Sequence, residues 1–370
     1  MSGEGAPDSI RRFLASRIEE GWMPGAAWWV EGPQGTIDRG AVGWAAIDPE
    51  RRPLGEDTPF DLASLTKPLC TALLLALLER EKRLELGQPV SRWLEAMRSS
   101  AFSGASLLDL ATHRSGLAAW RPLYLHASDR RGYVAQIARE LPAVPAGQTL
   151  YSDLGYILLG MVIEEATGQS LDRLFRERVA QPLGDPRIGF ASGDYVDAAA
   201  TEKGNAYEQR MAGADGEGHP WRGAVLRGHV HDANAWGLGG VAGHAGLFGT
   251  IEAVAAVARE LLRPTGLPLG EAERERLLRS RPGDEGRTVG MVVAAHSGAA
   301  RGILPSMAPG HTGFTGTSLW LDPPSGRFFV LLTNRVHPEV ERRDFQRIRR
   351  GFHRLAVRVG GGTERSLTLE

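Results

Sequence analysis

Residues 60–78 read FDLASLTKPLCTALLLALL, and this stretch says most about how the chain folds. Pro68 has no backbone N–H, so a helix tolerates it chiefly in the first turn, and its position predicts a helix that begins near Ser64. From residue 69 onward the stretch is almost wholly apolar, which indicates a helix buried on all sides. We therefore expect a rigid central helix whose first turn carries Ser64 and Lys67.

Ser64 and Lys67 are three residues apart, which places them on the same face of that helix. The positive end of a helix favours a developing alkoxide, and a lysine whose pKa is lowered by burial can act as the base for a hydroxyl. The spacing therefore predicts Ser64 as a nucleophile and Lys67 as its base. A core helix with a capping serine is the competing interpretation, because Ser-x-x-Lys also occurs by chance.

The segments on either side of this helix predict the fold class. Strand patterns occur at residues 26–31, 36–45, 288–294, 313–321 and 327–333, with helical patterns outside them at 8–20 and 345–359. We predict an α+β fold: an antiparallel sheet built from both termini and flanked by helices, with an inserted, mostly helical domain. The predicted boundaries are 1–61 plus 262–370 for the sheet domain and 62–261 for the helical domain, with the active site at their interface.

Two later segments follow the Ser-x-x-Lys pattern in an order typical of β-lactamases and penicillin-binding proteins. The first is Tyr151-Ser152-Asp153, and the second is His311-Thr312-Gly313, which we expect to open a strand. With these segments the chain resembles the penicillin-recognising serine hydrolases, a family of class C β-lactamases, DD-peptidases, D-aminopeptidases and related esterases. Residues 113–116 and 246–250 are also similar to family segments near the site, and the resemblance spans roughly residues 22 to 335.

The resemblance implies a role for each motif residue. Tyr151 would share proton transfer with Lys67, whose positive charge would favour phenolate character in the tyrosine. The backbone N–H groups of Ser64 and Phe314 would form the oxyanion hole. Substrate binding would fall to the other motif residues, Asp153, His311, Thr312 and Gly313. No metal or cofactor is expected to take part.

Two motif positions differ from the usual family pattern. Asp153 stands where most relatives have asparagine, and it would hold Lys67 tightly and repel an anionic substrate group. His311 replaces the common lysine, so carboxylate recognition should be weaker or dependent on pH. We therefore expect a small ester, an amide or a D-amino-acid peptide as the substrate. Weak β-lactamase activity and a catalytically silent penicillin-binding or sensor protein are the alternatives.

Composition restricts the partners and the location. Lysine and arginine total 43 against 44 acidic residues, so charge gives no reason to expect nucleic acid or an anionic membrane as a partner. The expected partner is a small-molecule substrate, and the oligomeric state stays open. The single cysteine, Cys70, excludes an intramolecular disulfide. No N-terminal stretch resembles a signal peptide and no run approaches the ~20 residues of a membrane span, so we expect a cytoplasmic protein.

Two further features have competing interpretations. A histidine-rich segment is reminiscent of metal-ligand spacing, but we interpret it, together with the glycines at 237–243, as a hydrogen-bonded loop packed near the active site. Its residues are His229, His231, Asp232 and His244. Four aromatic residues could line an apolar acyl pocket or belong to the core. They are Trp120, Tyr124, Tyr207 and Trp236.

Overall fold

The computed structural model describes residues 8–184, 186–190, 195–281 and 283–361, so the outermost parts of the predicted sheet domain, 1–7 and 362–370, lie outside the described residues. The helices are α1 (Asp8–Glu19), α2 (Leu73–Arg80), α3 (Leu107–Ala111), α4 (Arg130–Ala138), α5 (Asp153–Thr167), α6 (Leu171–Phe175), α7 (Ala206–Ala212), α8 (Ala233–Gly237), α9 (Ile251–Leu262), α10 (Glu271–Leu278) and α11 (Gln346–Val359). The strands are β1 (Gly25–Gly32), β2 (Gly35–Ala46), β3 (Arg52–Pro53), β4 (Phe60–Asp61), β5 (Ile188–Phe190), β6 (Leu247–Gly249), β7 (Val292–Val293), β8 (Pro309–Thr312), β9 (Ser318–Asp322) and β10 (Arg327–Thr333).

Seven strands form one antiparallel sheet in the order β3-β2-β1-β10-β9-β8-β7. Its centre joins the two halves of the chain, because β1 pairs with β10 and places Trp28 opposite Leu331. A smaller sheet has the order β4-β6-β5. The predicted α+β class, with an antiparallel sheet built from both termini, is confirmed.

Strand β1 is buried along its whole length because both faces of the sheet are covered. Alternate side chains of a strand point to opposite faces. Ala27 and Trp29 accordingly pack into the core shared with the helical part of the chain. Trp28 and Val30 pack on the other face, in the core formed with α1 and α11. The sheet is therefore the middle layer of the molecule.

The central helix begins where Pro68 predicts. Ala63–Leu65 form a 3-10 turn, Lys67–Ala72 follow as a π-helical segment, and α2 continues the same rod. Within residues 60–78, all of which the structure describes, every residue is buried except Ser64. The buried helix thus presents a single partly accessible side chain, the hydroxyl at its start.

The strands near the C-terminal end differ from the sequence prediction in two places. Of the predicted strand 288–294, only β7 forms, since Gly290 adopts a left-handed φ of 92° just before it. The predicted strand 313–321 begins only at Ser318, because residues 313–317 form a turn in which Gly316 has a φ of 101°. His311 and Thr312 therefore close β8 instead of opening a strand.

No helix among the described residues combines the length and hydrophobicity needed to cross a bilayer. The cytoplasmic location and the domain boundaries at 61/62 and 261/262 stay predictions.

Gly243 allows the glycine-rich segment 237–246 to pack directly on α5. A Cβ at this position would overlap the carbonyl oxygen of Tyr156 and lie 2.9 Å from the backbone nitrogen of Gly160. The carbonyl of Gly243 also accepts a hydrogen bond of 2.6 Å from the Thr71 hydroxyl, on the central helix. Gly243 thereby joins the segment, α5 and the central helix.

We predict that Gly243→Ala lowers the free energy of unfolding by about 1–3 kcal/mol, because the backbone contacts leave no room for a methyl group. Urea denaturation measures the change. Gly104→Ala is the matched control, since a Cβ at the exposed Gly104 meets nothing within 4 Å. Equal stability of the two variants would contradict the prediction.

Candidate active site

The amine of Lys67 connects the sequence-predicted residues. Its side chain is 0% exposed, and Nζ donates to Ser64 Oγ at 2.9 Å and to the carbonyl oxygen of His244 at 3.2 Å. Nζ also forms an ion pair with Asp153 Oδ1 at 2.7 Å. The hydroxyl, the amine and the carboxylate, from residues 64, 67 and 153, therefore meet at one point.

Tyr151 completes this group. Its hydroxyl lies beside Ser64 and Lys67, both of which act on it to lower its pKa, and the lysine ammonium lies 4.9 Å from the centre of its ring. The other side of the ring packs against His113, at 4.5 Å between ring centres. Nδ1 of His113 accepts the backbone N–H of Ser152 at 3.1 Å, which fixes the backbone next to Tyr151. The family-like segment 113–116 thus contributes a positioning residue.

The charges at rest differ from the sequence expectation. Burial alone would lower the pKa of Lys67, but the nearby Asp153 and Tyr151 raise it above the ordinary value. For Tyr151, burial raises the pKa more than the positive charge of Lys67 lowers it. The expected depressed lysine pKa and phenolate character are therefore wrong for the resting site, which holds an ammonium beside a neutral phenol.

His311 lies at the end of β8, with its ring centre 5.8 Å from that of Tyr151. Its Nδ1 is 2.8 Å from the carbonyl oxygen of Thr312, which assigns the ring proton to Nδ1. Burial, with the neighbouring charges of Lys67 and Arg287, lowers the pKa of His311 well below its ordinary value. The histidine is thus neutral around pH 7, and it does not supply the cation that lysine supplies in the usual motif.

The turn after β8 holds the backbone of Gly313 and Phe314 in a fixed orientation. The carbonyl of Gly313 accepts from Arg349 at 2.6 Å, and that of Phe314 accepts from Arg335 at 2.8 Å. Because the Gly313–Phe314 peptide is trans, the N–H of Phe314 points away from Arg349. Among the described residues, neither this N–H nor that of Ser64 donates to a backbone carbonyl, so both are free to serve an oxyanion.

Gly313 is required here for a packing reason in addition to substrate access. A Cβ on Gly313 would overlap the hydroxyl of Thr317 and lie 2.8 Å from the carbonyl oxygen of Leu62, beside the nucleophile turn. The hydroxyls of Thr315 and Thr317 donate to the carbonyls of Asp61 and Leu62, at 2.8 and 3.2 Å. The turn and the start of the central helix are thereby held in direct contact.

All these groups border one cavity of about 560 Å³. Every sequence-predicted site residue except the buried Lys67 lines it: Ser64, Tyr151, Asp153, His311, Thr312, Gly313 and Phe314. Of the four aromatic candidates, only Trp120 and Tyr207 line the cavity. Sequence reasoning missed further polar lining residues, since no motif surrounds them. These are Glu208, Arg287, Arg335 and Arg349.

The histidine-rich segment forms two separate histidine–carboxylate contacts. His231 Nε2 lies 2.9 Å from Glu202 Oε2, and His244 Nε2 lies 2.9 Å from Asp232 Oδ1. Within the described ranges, no three acidic, histidine or cysteine side chains are grouped as metal ligands would be. His244 then positions its own carbonyl on Lys67, so the segment acts as scaffold for the site.

The fold and the enclosed Ser-Lys-Tyr site define the class of protein, a serine hydrolase built on the β-lactamase and transpeptidase fold. A family model described as Beta-lactamase matches residues 10–351. The chain therefore belongs to the beta-lactamase family.

Individual relatives agree with this family. A putative D-alanyl-D-alanine carboxypeptidase of Escherichia coli (strain K12) is 32% identical over 317 residues, which cover 76% of this chain and 70% of the relative. EstCE1, described as a hydrolase with promiscuous acyltransferase activity, has a TM-score of 0.73 and 19% identity, covering 95% of this chain and 98% of its own. A beta-lactamase from Sulfitobacter sp. EE-36 has a TM-score of 0.73 and 20% identity, covering 97% and 99%. The last two comparisons support the fold alone.

We predict that Asp153→Asn shifts to lower pH the limb on which kcat/KM rises with pH, because Lys67 and Tyr151 must lose one proton before they can accept that of Ser64. Asp153 raises the pKa of Lys67, so the ammonium loses its proton only at high pH in the native chain. Removal of the negative charge at position 153 should lower the pKa of Lys67. The measurement is kcat/KM for a p-nitrophenyl ester as a function of pH. The exposed Asp215→Asn is the control. A limb that stays in place or moves upward in Asp153→Asn would disprove the assignment.

Proposed function

We propose that this chain hydrolyses a small ester, amide or D-amino-acid peptide through an acyl-enzyme on Ser64. The observation that carries the proposal is the position of Lys67 Nζ, 2.9 Å from Ser64 Oγ and in contact with the Tyr151 hydroxyl. A hydroxyl needs an adjacent proton acceptor to become a nucleophile. Lys67 and Tyr151 form a path along which that proton can travel.

The reaction would proceed in two balanced steps. The Tyr151–Lys67 pair first loses one proton to solvent; Ser64 Oγ then attacks the carbonyl carbon while its own proton passes to that pair, and the N–H groups of Ser64 and Phe314 stabilise the oxyanion. The bond to the leaving group then breaks, and the same pair returns the proton to the departing nitrogen or oxygen. In the second step water attacks the acyl-enzyme, which releases the acid and restores the Ser64 hydroxyl.

Arg287 supports a carboxylate on the leaving group. Its guanidinium lies 6.0 Å from the ring centre of Tyr151 and borders the cavity, and the acidic side chain whose charge acts on it is that of Glu285. Since His311 is neutral, Arg287 is the cation that faces the Tyr151 side. A peptide that ends in a free D-amino acid would place its carboxylate there, in keeping with the name of the Escherichia coli relative.

We predict that Ser64→Ala lowers kcat/KM by at least about 10³-fold and abolishes covalent labelling, because the attacking oxygen is lost. Intact-mass spectrometry after treatment with a fluorophosphonate, and separately with benzylpenicillin, measures the adduct. Ser103→Ala is the matched control, because this partly exposed serine lies outside the cavity, and the variant should label like the native chain. Full activity or labelling of Ser64→Ala would remove the nucleophile assignment.

The same experiment separates the alternatives. A stable penicillin adduct without turnover of any ester or peptide would favour a penicillin-binding or sensor protein. Release of penicilloic acid would favour β-lactamase activity. Release of product from esters or D-amino-acid peptides supports the proposal.

We predict that Arg287→Gln reduces the preference for a free carboxylate by about tenfold to a hundredfold, since a hydrogen bond to a charged group contributes about 1.5–3 kcal/mol. The measurement is the ratio of kcat/KM for N-acetyl-D-alanyl-D-alanine and for the same peptide ending in a carboxamide. The exposed Arg279→Gln is the matched control. An unchanged ratio in Arg287→Gln would rule out the carboxylate role.

A further inference from the structure

Glu208 is an acidic side chain of the cavity that the proposed chemistry does not use. From its geometry we propose that Glu208 binds a primary ammonium group on the acyl half of the substrate. This inference rests on the proposed function, because it names a recognition element of the same site.

The other acidic residues that line the cavity already have partners. Asp61 accepts the N–H groups of Ala63 and His231, at 2.8 and 2.7 Å. Asp153 is paired with Lys67, and Asp232 accepts from the His244 ring and from the N–H of Ala235. Among these cavity carboxylates, the buried oxygen that has neither a hydrogen bond nor an ion pair is therefore Oε2 of Glu208.

Glu208 is only half satisfied. The residue is 5% exposed and lines the cavity, and its Oε1 accepts the N–H of Ala233 at 2.8 Å. Its Oε2 has no hydrogen-bond partner within the described part of the chain. The hydroxyl of Tyr124 comes close enough to Glu208 for the two groups to interact, but the geometry between them falls short of a full hydrogen bond, so Oε2 can still accept from a ligand. A buried, unpartnered carboxylate oxygen is costly unless a ligand satisfies it.

The surroundings of Glu208 favour a cation. Burial and the charge of Asp232 raise the pKa of Glu208, and the positive groups His231 and Arg222 offset this only in part. An ammonium ligand would remove the repulsion between the two carboxylates and stabilise ionised Glu208. The titratable groups that face Glu208 from the elements around it are Asp232, His231, Arg222, Tyr124 and Tyr133.

Arg222 does not occupy the free oxygen. Its guanidinium donates to Asn205 and to the carbonyls of Val230 and His231, at 2.5, 2.7 and 2.7 Å. His231 is likewise committed to Glu202. The cations of this region are therefore fixed on other acceptors, and the unused capacity of Glu208 is available to a ligand.

The position of Glu208 indicates which half of the substrate it meets. Its neighbour Tyr207 packs on the ring of Phe314, at 5.0 Å between ring centres. Arg287 instead lies over Tyr151, and its charged neighbours do not include Glu208. Since Tyr151 hands its proton to the leaving group, Arg287 marks the leaving-group side. Glu208, on the side of the cavity near Phe314, would therefore face the acyl half of the substrate.

We predict that native enzyme prefers the p-nitrophenyl ester of 6-aminohexanoic acid to that of heptanoic acid, and that Glu208→Gln lowers this kcat/KM ratio by at least about tenfold. Glutamine keeps an acceptor for the Ala233 N–H, so the variant should fold, and a thermal melt checks this. The exposed Glu217→Gln is the matched control and should keep the native ratio. An unchanged ratio in an active Glu208→Gln would overturn the proposal.

Binding without turnover gives an independent readout. Calorimetry on Ser64→Ala with 6-aminohexanamide and hexanamide should show tighter binding of the amine, with proton release around neutral pH because the pKa of Glu208 is raised. The Ser64→Ala/Glu208→Gln variant should lose both effects. The amine preference should also grow as pH rises and Glu208 ionises. Equal binding of the two amides, or proton release that persists in the double variant, would contradict the site.

The two proposals fail in different ways. Turnover that survives Ser64→Ala counts against the acyl-enzyme, whatever the ester ratio. Turnover that depends on Ser64 but shows the same amine ratio in native enzyme and Glu208→Gln counts against the ammonium site alone.

Discussion

The arrangement of this protein depends on one ammonium group that has no access to water. Burying an unpaired charge costs on the order of several kcal/mol, so a wholly buried Lys67 must be surrounded by compensating groups. The compensating groups are the carboxylate of Asp153, the hydroxyl of Ser64 and the carbonyl of His244. The aromatic ring of Tyr151 also lies next to the ammonium. These groups come from distant parts of the chain. The groups that stabilise the buried lysine are therefore the same groups that form the site.

The fold holds these parts in place by joining the chain ends. Pairing of β1 with β10 fixes the C-terminal strands next to the N-terminal ones, and the hairpin from β8 to β9 then extends toward the central helix. Helix α11, on the outer face of the sheet, reaches through with Arg349 to hold the carbonyl of Gly313. By holding the carbonyl of Gly313, the C-terminal helix thus orients the backbone N–H of Phe314.

Local signals explain what the sequence could predict. Pro68 and the apolar run after it identified the central helix, and the motif order identified Tyr151 and His311 as its partners. Charge state was not predictable, because the pKa of Lys67 depends on how close Asp153 comes, and that distance is set by packing. Arg287 and Glu208 were missed for a related reason. Each lies in a segment with no motif, and only the folded chain brings them to the cavity.

Histidine at position 311, where the usual motif has lysine, bears on where the proposed recognition takes place. A cation at this position would add to the field of Lys67, but the neutral His311 adds none, so under the proposed function Arg287 supplies the positive charge for a substrate. Asp153 in turn neutralises Lys67 within the site. The centre of the cavity therefore carries little net charge. Away from it, Arg287 is positive, and Glu208, whose pKa is raised, would ionise when an ammonium group binds. Under the proposed function, such a distribution would select substrates by their ends, because the reacting carbonyl would lie in a nearly neutral region.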